Sequence, residues 1–379
     1  MLEYFLITYC CLVLLFMFMS AWNSMGYRDV FPEPFKDRNH PFVSVIIPAR
    51  NEIANIKNCI DSLVVQDYPD YEIIVVDGGS TDGTCDLLDE YAEKYDFFRW
   101  IPEKPLPDDW VGKSYACRLG VDESKGDWLF FIDADTVHHE YMINSVILEI
   151  QNCNLDFFSL MTGQKLGSFW ENVILPDVFL WFGTKFPIRK VNSHKSRVAR
   201  ATGQFIAIRK DVYEATKGHE AIKSKVVEDF AFSKLVKQAG YRIKIAGGRK
   251  IVTTRMYRNL QQILEGFSKN IFFAAGESIK STLYAVFYIL VTQILPFAVP
   301  FLMFFADEIS SKIIILSCLP LFIILFVRIQ LNFLLKLSHL YVWSIPIGGF
   351  FTIFLQLNSA YKYLSGKGML WKGRIYGTK

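Results

Sequence analysis

Two aspartates one residue apart, Asp133 and Asp135, follow directly on the apolar run Trp128-Leu129-Phe130-Phe131-Ile132. Carboxylates at that spacing, where a buried strand ends, can converge on one hard cation. Mg2+ or Mn2+ held by one or two carboxylates completes its shell with substrate phosphates and stabilises a diphosphate leaving group. An Asp-rich turn capping the next helix explains the same pair, which alone does not decide. Another acid, Asp77, ends the run Glu72-Ile73-Ile74-Val75-Val76 and opens Asp77-Gly78-Gly79-Ser80-Thr81-Asp82-Gly83-Thr84. Glycines there let the backbone approach a ligand, and the carboxylate could accept from a base N–H or from ribose hydroxyls. A capped glycine-rich turn is the bland alternative. Glu228 and Asp229 open a helical pattern over residues 227–239. Acids are favoured at a helix N-terminus by the dipole; the chemical alternative is a general base at the ligand face of a sheet. His138 and His139 are expected in the first turn of a helix, outside any metal site.

Several function classes are excluded. Gly112-Lys113-Ser114 looks like the end of a phosphate-binding loop, but Pro107 stands where that motif needs glycine. No G-x-G-x-x-G opens a helix after a strand, so a standard dinucleotide binder is excluded too. A net charge of only +3 makes no case for nucleic acid. The seven cysteines are odd in number and form no C-x-x-C pair, against a disulfide framework or zinc site and in favour of a reducing, cytosolic face.

The elements that must position these acids follow from the apolar pattern. Val43-Ser44-Val45-Ile46-Ile47 reads as a strand buried on both faces. Residues 72–76, 97–101 and 128–132 read as further strands, with helices between them. Strands alternating with helices predict an α/β domain with a mostly parallel sheet and ligands at the strands' carboxyl ends. Arg50, Asp77, Asp133 and Asp135 lie at such ends. The second half is less regular: strands are expected over 156–161, 204–208 and 242–246, and a helix over 227–239 ended by Gly240.

Hydrophobic residues make up 51% of the 379, and the excess sits at the two ends of the chain. Residues 4–21 are almost wholly apolar, which at ~1.5 Å per residue just spans a ~30 Å hydrocarbon core. A cleaved signal peptide is the competing reading. The only charged side chain before the run is Glu3, whereas Arg28, Lys36 and Arg38 follow it. The expectation is an anchor over 1–22 with the following domain cytosolic. A proline-rich linker over 23–41, a catalytic domain over 42–255 and an amphipathic interfacial helix over 256–280 follow. Transmembrane segments over 281–365 and a basic tail over 366–379 complete the expected order. Three apolar stretches, 282–306, 313–335 and 340–364, are each long enough to cross, yet three crossings would put the basic tail outside. Pro296 and Pro300 make the first stretch a candidate hairpin or re-entrant segment, and the crossing number stays open.

Taken together, Asp77, the paired aspartates, Glu228-Asp229 and the strand order resemble family 2 glycosyltransferases of the GT-A fold. The resemblance covers about residues 42–250 and runs through Val43-Ser44-Val45-Ile46-Ile47-Pro48-Ala49-Arg50-Asn51-Glu52, the Asp77–Thr84 stretch, Gly112-Lys113-Ser114-Tyr115-Ala116-Cys117, Phe131-Ile132-Asp133-Ala134-Asp135 and Val227-Glu228-Asp229. It implies that Ala49, Arg50, Glu52 and Asp77 hold the nucleotide of a nucleotide-sugar donor. It also implies that Lys113 acts near the base or diphosphate, and that Asp133 and Asp135 serve the nucleotide and a divalent cation, Mg2+ or Mn2+. Asp229 would be the catalytic base with Glu228 beside it. A narrower likeness reaches Trp110-Val111, Arg255-Met256-Tyr257-Arg258, Glu265-Gly266-Phe267-Ser268-Lys269-Asn270 and Trp371–Tyr376. It is to a membrane branch that includes 4,4'-diaponeurosporenoate glycosyltransferase and hopanoid-associated enzymes, with ceramide glucosyltransferase more distant. It implies a lipid acceptor.

A carotenoid carboxylate is already ionised near neutral pH and needs no base; a hydroxyl does. Asp229 therefore keeps a hydroxyl acceptor open. Polysaccharide synthases carry Q-x-x-R-W after the acceptor domain, and the corresponding stretch here, Gln261 to Asn270, has no Arg-Trp. Lys269 or Arg255 is left as the candidate positive charge for the diphosphate, and Gly203 and Gln204 as candidate acceptor-pocket residues. The expectation is a membrane-bound inverting glycosyltransferase of the cell membrane, with UDP favoured in the donor. The alternatives are a processive polysaccharide synthase that translocates its product, and a non-catalytic sugar-nucleotide-binding membrane module. The sugar, the lipid and the oligomeric state are not identified.

Overall fold

Helix α1 (Leu2–Ser24) precedes an α/β domain whose first strand, β1 (Val43–Ala49), is buried on both faces. The computed structural model describes residues 1–36, 40–185, 187–305, 310–365, 369–371 and 374–376. Arg38 and the tail residues Lys367, Lys372 and Lys379 lie outside the described residues. Val43, Val45, Ile46 and Ile47 are fully buried, and each such side chain contributes about 1.5–3 kcal/mol. Helix α2 (Ile56–Leu63) leads to β2 (Tyr71–Asp77), α3 (Thr84–Lys94) to β3 (Phe98–Pro102), and α4 (Gly112–Asp122) to β4 (Trp128–Ile132). These four strands pair in parallel, β1 lying between β2 and β4.

Beyond β4 the chain adds β5 (Thr136–His138), α5 (Met142–Cys153), β6 (Phe157–Met161) and β7 (Gly163–Gln164). Helices α6 (Phe169–Lys185) and α7 (Ile188–Val191) come next, then β8 (Phe205–Arg209), α8 (Lys210–Ala215) and α9 (Gly218–Ala221). The domain closes with α10 (Glu228–Gln238), β9 (Ile243–Gly247) and β10 (Val252–Thr254). The seven-stranded order is β3-β2-β1-β4-β8-β6-β9. Strand β8 is antiparallel to both neighbours, and the rest pair in parallel. The mostly parallel α/β sheet is the one predicted, with strand limits moved by one or two residues.

Register places the site. Ala49 pairs with Asp77, and Asp77 with Pro102, so three strands end together. Ile132 pairs with Phe205, which brings Gly203 and Gln204 up to Asp133 from the antiparallel side. A small sheet, β5-β10-β7, backs the Asp133–Asp135 turn, and Thr254 Oγ1 donates to the Asp135 carbonyl at 3.1 Å. Helix α4 crosses so close over β1 that a Cβ on Gly120 would lie 2.5 Å from Ile46 Cγ2. His138 was expected in a helical turn; it lies instead in β5, buried, its Nε2 2.9 Å from Thr136 Oγ1. The backbone extends there because β10 pairs with it.

The C-terminal part comprises α11 (Leu260–Ala274), α12 (Ile279–Ile289), a π-helical turn over Leu290–Ile294, α13 (Leu295–Met303), α14 (Ser311–Leu335) and α15 (Ile345–Leu364). Among the described residues four helical runs are long and apolar enough to cross a membrane: Leu2–Asn23, Ile279–Met303, Ser311–Leu335 and His339–Leu364. The stretch with Pro296 and Pro300 is one helical run and not a hairpin. Pro296 falls in the first turn of α13, where a missing N–H costs nothing, and the π turn just before absorbs the irregularity. On α11, Ile263, Phe267 and Ile271 are buried in one cluster with Val173, Val178 and Leu355.

Helix α6 was not foreseen. It is apolar on all sides and carries Pro176, so no amphipathic stripe marks it. It packs against α1 and α15 and carries two fully buried acids, Glu171 and Asp177. Arg328 of α14 donates from Nη1 to Asp177 Oδ1 at 2.7 Å, from Nη2 to the Asn172 carbonyl at 3.0 Å and from Nε to Asn332 Oδ1 at 3.0 Å. Both members of the pair are 0% exposed. Arg328→Leu should cost about 3–5 kcal/mol, because it strands a buried carboxylate. Unfolding of detergent-solubilised protein would measure this; Asp177→Leu combined with Arg328→Leu should restore most of the loss. A double variant as unstable as the single one contradicts the pairing.

Candidate functional site

Seven carboxylates, Glu52, Asp77, Glu103, Asp133, Asp135, Glu228 and Asp229, gather with Lys113 and Lys269 where the parallel strands end. Ala49 closes β1, and its carbonyl accepts from Gly78 N–H at 2.7 Å. Arg50 Nη1 donates to the Gly78 carbonyl at 2.5 Å, tying the β1 and β2 loops together. Glu52 Oε2 accepts from Asn55 Nδ2 at 3.0 Å. Asp77 is 2% exposed; its Oδ2 accepts from the N–H groups of Gly79 and Ser80 at 2.9 Å, and its Oδ1 from Ser80 Oγ at 2.5 Å. Both oxygens thus shape the glycine loop itself. Ala49, Arg50, Glu52, Lys113, Asp133 and Asp135 line one pocket with Gly78 and Glu103; Asp77 is buried next to Gly78 and is not part of the lining.

Lys113, in the first turn of α4, joins the two halves. Its Nζ is 2.6 Å from Asp133 Oδ1, 2.8 Å from Glu228 Oε1 and 3.4 Å from the Gly203 carbonyl. Burial opposes its charge, but Asp133 and Glu228 outweigh burial and hold the ammonium well above its ordinary range. Burial likewise works against Glu228, and Lys113 overrides it, keeping Glu228 below its usual value. Asp133 goes the other way: burial raises it, and Lys113 offsets that only in part. Asp135 is pushed up to about 7 by burial, then by Asp133 and Glu52. Its Oδ1 is buried without a hydrogen-bond partner. Asp229 is also pushed up to about 7, by burial and then Glu228, although its Oδ2 accepts from Gly203 N–H and its Oδ1 from Phe230 N–H, both at 2.8 Å. Burial, and then the crowding of carboxylates, thus shifts Asp133, Asp135 and Asp229 above the ordinary carboxylate range.

Gly203 sits against this cluster. A Cβ there would lie 2.8 Å from Lys113 Nζ and 3.2 Å from Glu228 Oε1. Gly203→Ala should leave the fold intact and lower turnover by up to about 10²-fold by shifting Lys113; steady-state rates beside a melting curve check this. Gln204 is 8% exposed and is held by Thr162 and Gln164; its carbonyl accepts from Asp133 N–H at 3.4 Å. Lys269, on α11, interacts with Glu228, Asp133 and Asp229, and burial lowers it to about 8. Arg255 does not join the lysines. It forms a two-pronged pair with buried Glu171, at 3.1 Å from Nε and 2.9 Å from Nη2, and so anchors α6.

Three site residues escaped the sequence reading. Glu103 follows β3, and its N–H donates to the Asp77 carbonyl at 2.7 Å; the strand-end rule that found Arg50 would have found it. Tyr257 lies near Asp135, which helps burial to raise its phenol. Arg200 lies near Asp229, and burial lowers it to about 10; its irregular loop carries no pattern that signals it.

Residues 44–216 match the model of "Glycosyl transferase family 2". A 118-residue stretch is 36% identical to Glycosyltransferase AglE of Haloferax volcanii, covering 31% of this chain and 38% of that protein. A 261-residue stretch is 27% identical to 4,4'-diaponeurosporenoate glycosyltransferase of Staphylococcus aureus, covering 63% of each. The chain therefore spans less than two thirds of these relatives. Among solved structures, the mannosyltransferase PcManGT from Pyrobaculum calidifontis, in complex with GDP-Man and Mn2+, superposes with a TM-score of 0.51. The match is 17% identical and covers 92% of this chain and 99% of that one, a likeness of fold.

Proposed function

We propose, for a chain that has the GT-A fold and carries a glycosyl transferase family 2 domain over residues 44–216, the transfer of a sugar from a nucleoside diphosphate donor to a hydroxyl of a membrane lipid. One observation carries this reading. Lys113 joins Asp133, at the end of a sheet strand, to Glu228 beside Asp229, and Lys269 faces the same acids from the helix that leads into the apolar runs. In this reading donor chemistry and a membrane-side acceptor meet at that cluster. The relative named for 4,4'-diaponeurosporenoate supports a lipid-like acceptor.

Ala49, Arg50, Glu52 and Asp77 hold the nucleotide in this reading, with Glu103 beside them. Asp133 and Asp135 fit a divalent cation, Mg2+ or Mn2+. The Oδ1 of Asp135, buried and with no hydrogen-bond partner, suits a cation ligand. Two carboxylates suffice where donor phosphates finish the shell. The bound cation supplies charge neutralisation for the departing diphosphate. Asp229, ionised, takes the proton of the acceptor hydroxyl, whose oxygen attacks the anomeric carbon from the face opposite the diphosphate. The C–O bond to the diphosphate breaks as the new one forms, so configuration inverts. Lys113 and Lys269 balance the charge. Gly203 and Gln204 border the acceptor side.

In this reading the apolar runs lie in a bilayer and the domain lies against it, with α11 at its surface. Arg28 and Lys36 after α1 favour the cytosolic face of the cell membrane. The test is release of nucleoside diphosphate by full-length protein in lipid, given UDP sugars first and GDP-mannose second, with and without Mn2+. Cation-dependent release from one donor is expected. No release and no binding of any donor contradicts the reading.

A further inference from the structure

A second pocket lies away from the acids, where the apolar part of α1 ends. It encloses about 220 Å³ and is lined by Phe18, Trp22 and Asn23 of α1 and by Pro187, Arg189 and Lys190 at α7. We propose that it binds the phosphodiester headgroup of an anionic phospholipid. This does not depend on the sugar-transfer reading; it requires only that α1 lies in a bilayer.

The chemistry of the walls is divided as such a ligand requires. Phe18 and Trp22 are 61% and 48% exposed, and their rings stack at 5.8 Å. Exposed aromatic rings at the end of a spanning helix suit the boundary between acyl chains and headgroups. The rest of the lining supplies the cations: Arg189 lies over the Trp22 ring, its Cζ 4.9 Å from the centroid, and Lys190 follows it. None of the lining residues is acidic. Basic side chains at a membrane surface, next to a spanning helix, recognise anionic lipid headgroups.

The pocket is also held in shape. Asn23 Nδ2 donates to the Thr184 carbonyl at 2.5 Å, pinning the end of α1 to α6. Buried Lys237 donates from Nζ to the carbonyls of Lys190, Val191 and Val198 at 3.2, 2.5 and 2.7 Å. That lysine fixes the segment carrying the two cations, so little ordering remains to be done when the lipid binds.

The experiment uses the full chain in nanodiscs of mixed phosphatidylcholine and phosphatidylglycerol, with retained lipids counted by native mass spectrometry. Wild type should keep phosphatidylglycerol in preference. Arg189→Ala with Lys190→Ala should weaken that preference on the order of tenfold or more. Arg189→Lys, which keeps the charge, should retain it, as should Lys57→Ala with Lys94→Ala, which removes as much charge from α2 and α3. Excess inorganic phosphate should not displace the lipid. Unchanged retention in Arg189→Ala/Lys190→Ala overturns the proposal. So does equal loss in Lys57→Ala/Lys94→Ala, or competition by free phosphate.

Discussion

Asp229→Asn should lower turnover with a lipid hydroxyl by about 10²–10⁴-fold, the usual contribution of a positioned base, while donor affinity stays near the wild-type value. The side chain is held at its task by the N–H groups of Gly203 and Phe230, and asparagine fills the same space without being able to take a proton. The pH profile gives a second, independent readout. Burial and Glu228 raise Asp229 to about 7, and only the ionised form acts as base. The wild-type rate should therefore rise with pH through about 7 and then level off. The residual rate of Asp229→Asn should lack that rise. A variant with wild-type turnover would remove the base from the mechanism.

Asp135→Ala should be nearly as damaging for a different reason. Loss of the cation site removes several kcal/mol of leaving-group stabilisation, about three orders of magnitude in rate. Unlike Asp229→Asn, it should also abolish the dependence of donor binding on Mn2+, which calorimetry measures directly. Stability should move the opposite way. A carboxyl raised to about 7 in the folded chain, against about 3.9 unfolded, stabilises the fold fully only below the lower value. That contribution is lost as pH rises through the higher one. At pH 8 the cation-free wild type should thus be no more stable than Asp135→Ala. Mn2+ should raise the melting temperature of wild type more at pH 8 than at pH 6, where a proton must first leave. A variant that unfolds at pH 8 while wild type does not would assign Asp135 a structural role.

Much of this architecture is legible in the amino-acid pattern. Val43-Ser44-Val45-Ile46-Ile47 and Trp128–Ile132 could only be strands buried on both faces, and the acids that follow them had to lie at carboxyl ends. The register of Ala49 with Asp77 then brings Arg50 against Gly78. What was hidden depends on partners distant in sequence. Arg255 has the same charge as Lys269, and nothing local says that Arg255 goes to Glu171 while Lys269 goes to Glu228. Helix α6 was hidden because a helix covered on every side needs no polar face. Gly203 was ambiguous until the antiparallel pairing of β8 with β4 set it against Lys113. His138 was misassigned because a two-residue histidine pair says nothing of β10, the strand that extends it.

The most direct measurement is a comparison of lipid extracts, by mass spectrometry, from cells expressing wild-type protein, Asp229→Asn or no protein. A lipid carrying one added sugar should appear with wild type and be absent from both others. An identical lipid profile in all three, or a long soluble polysaccharide as the only new product of wild type, contradicts transfer of a sugar to a membrane lipid.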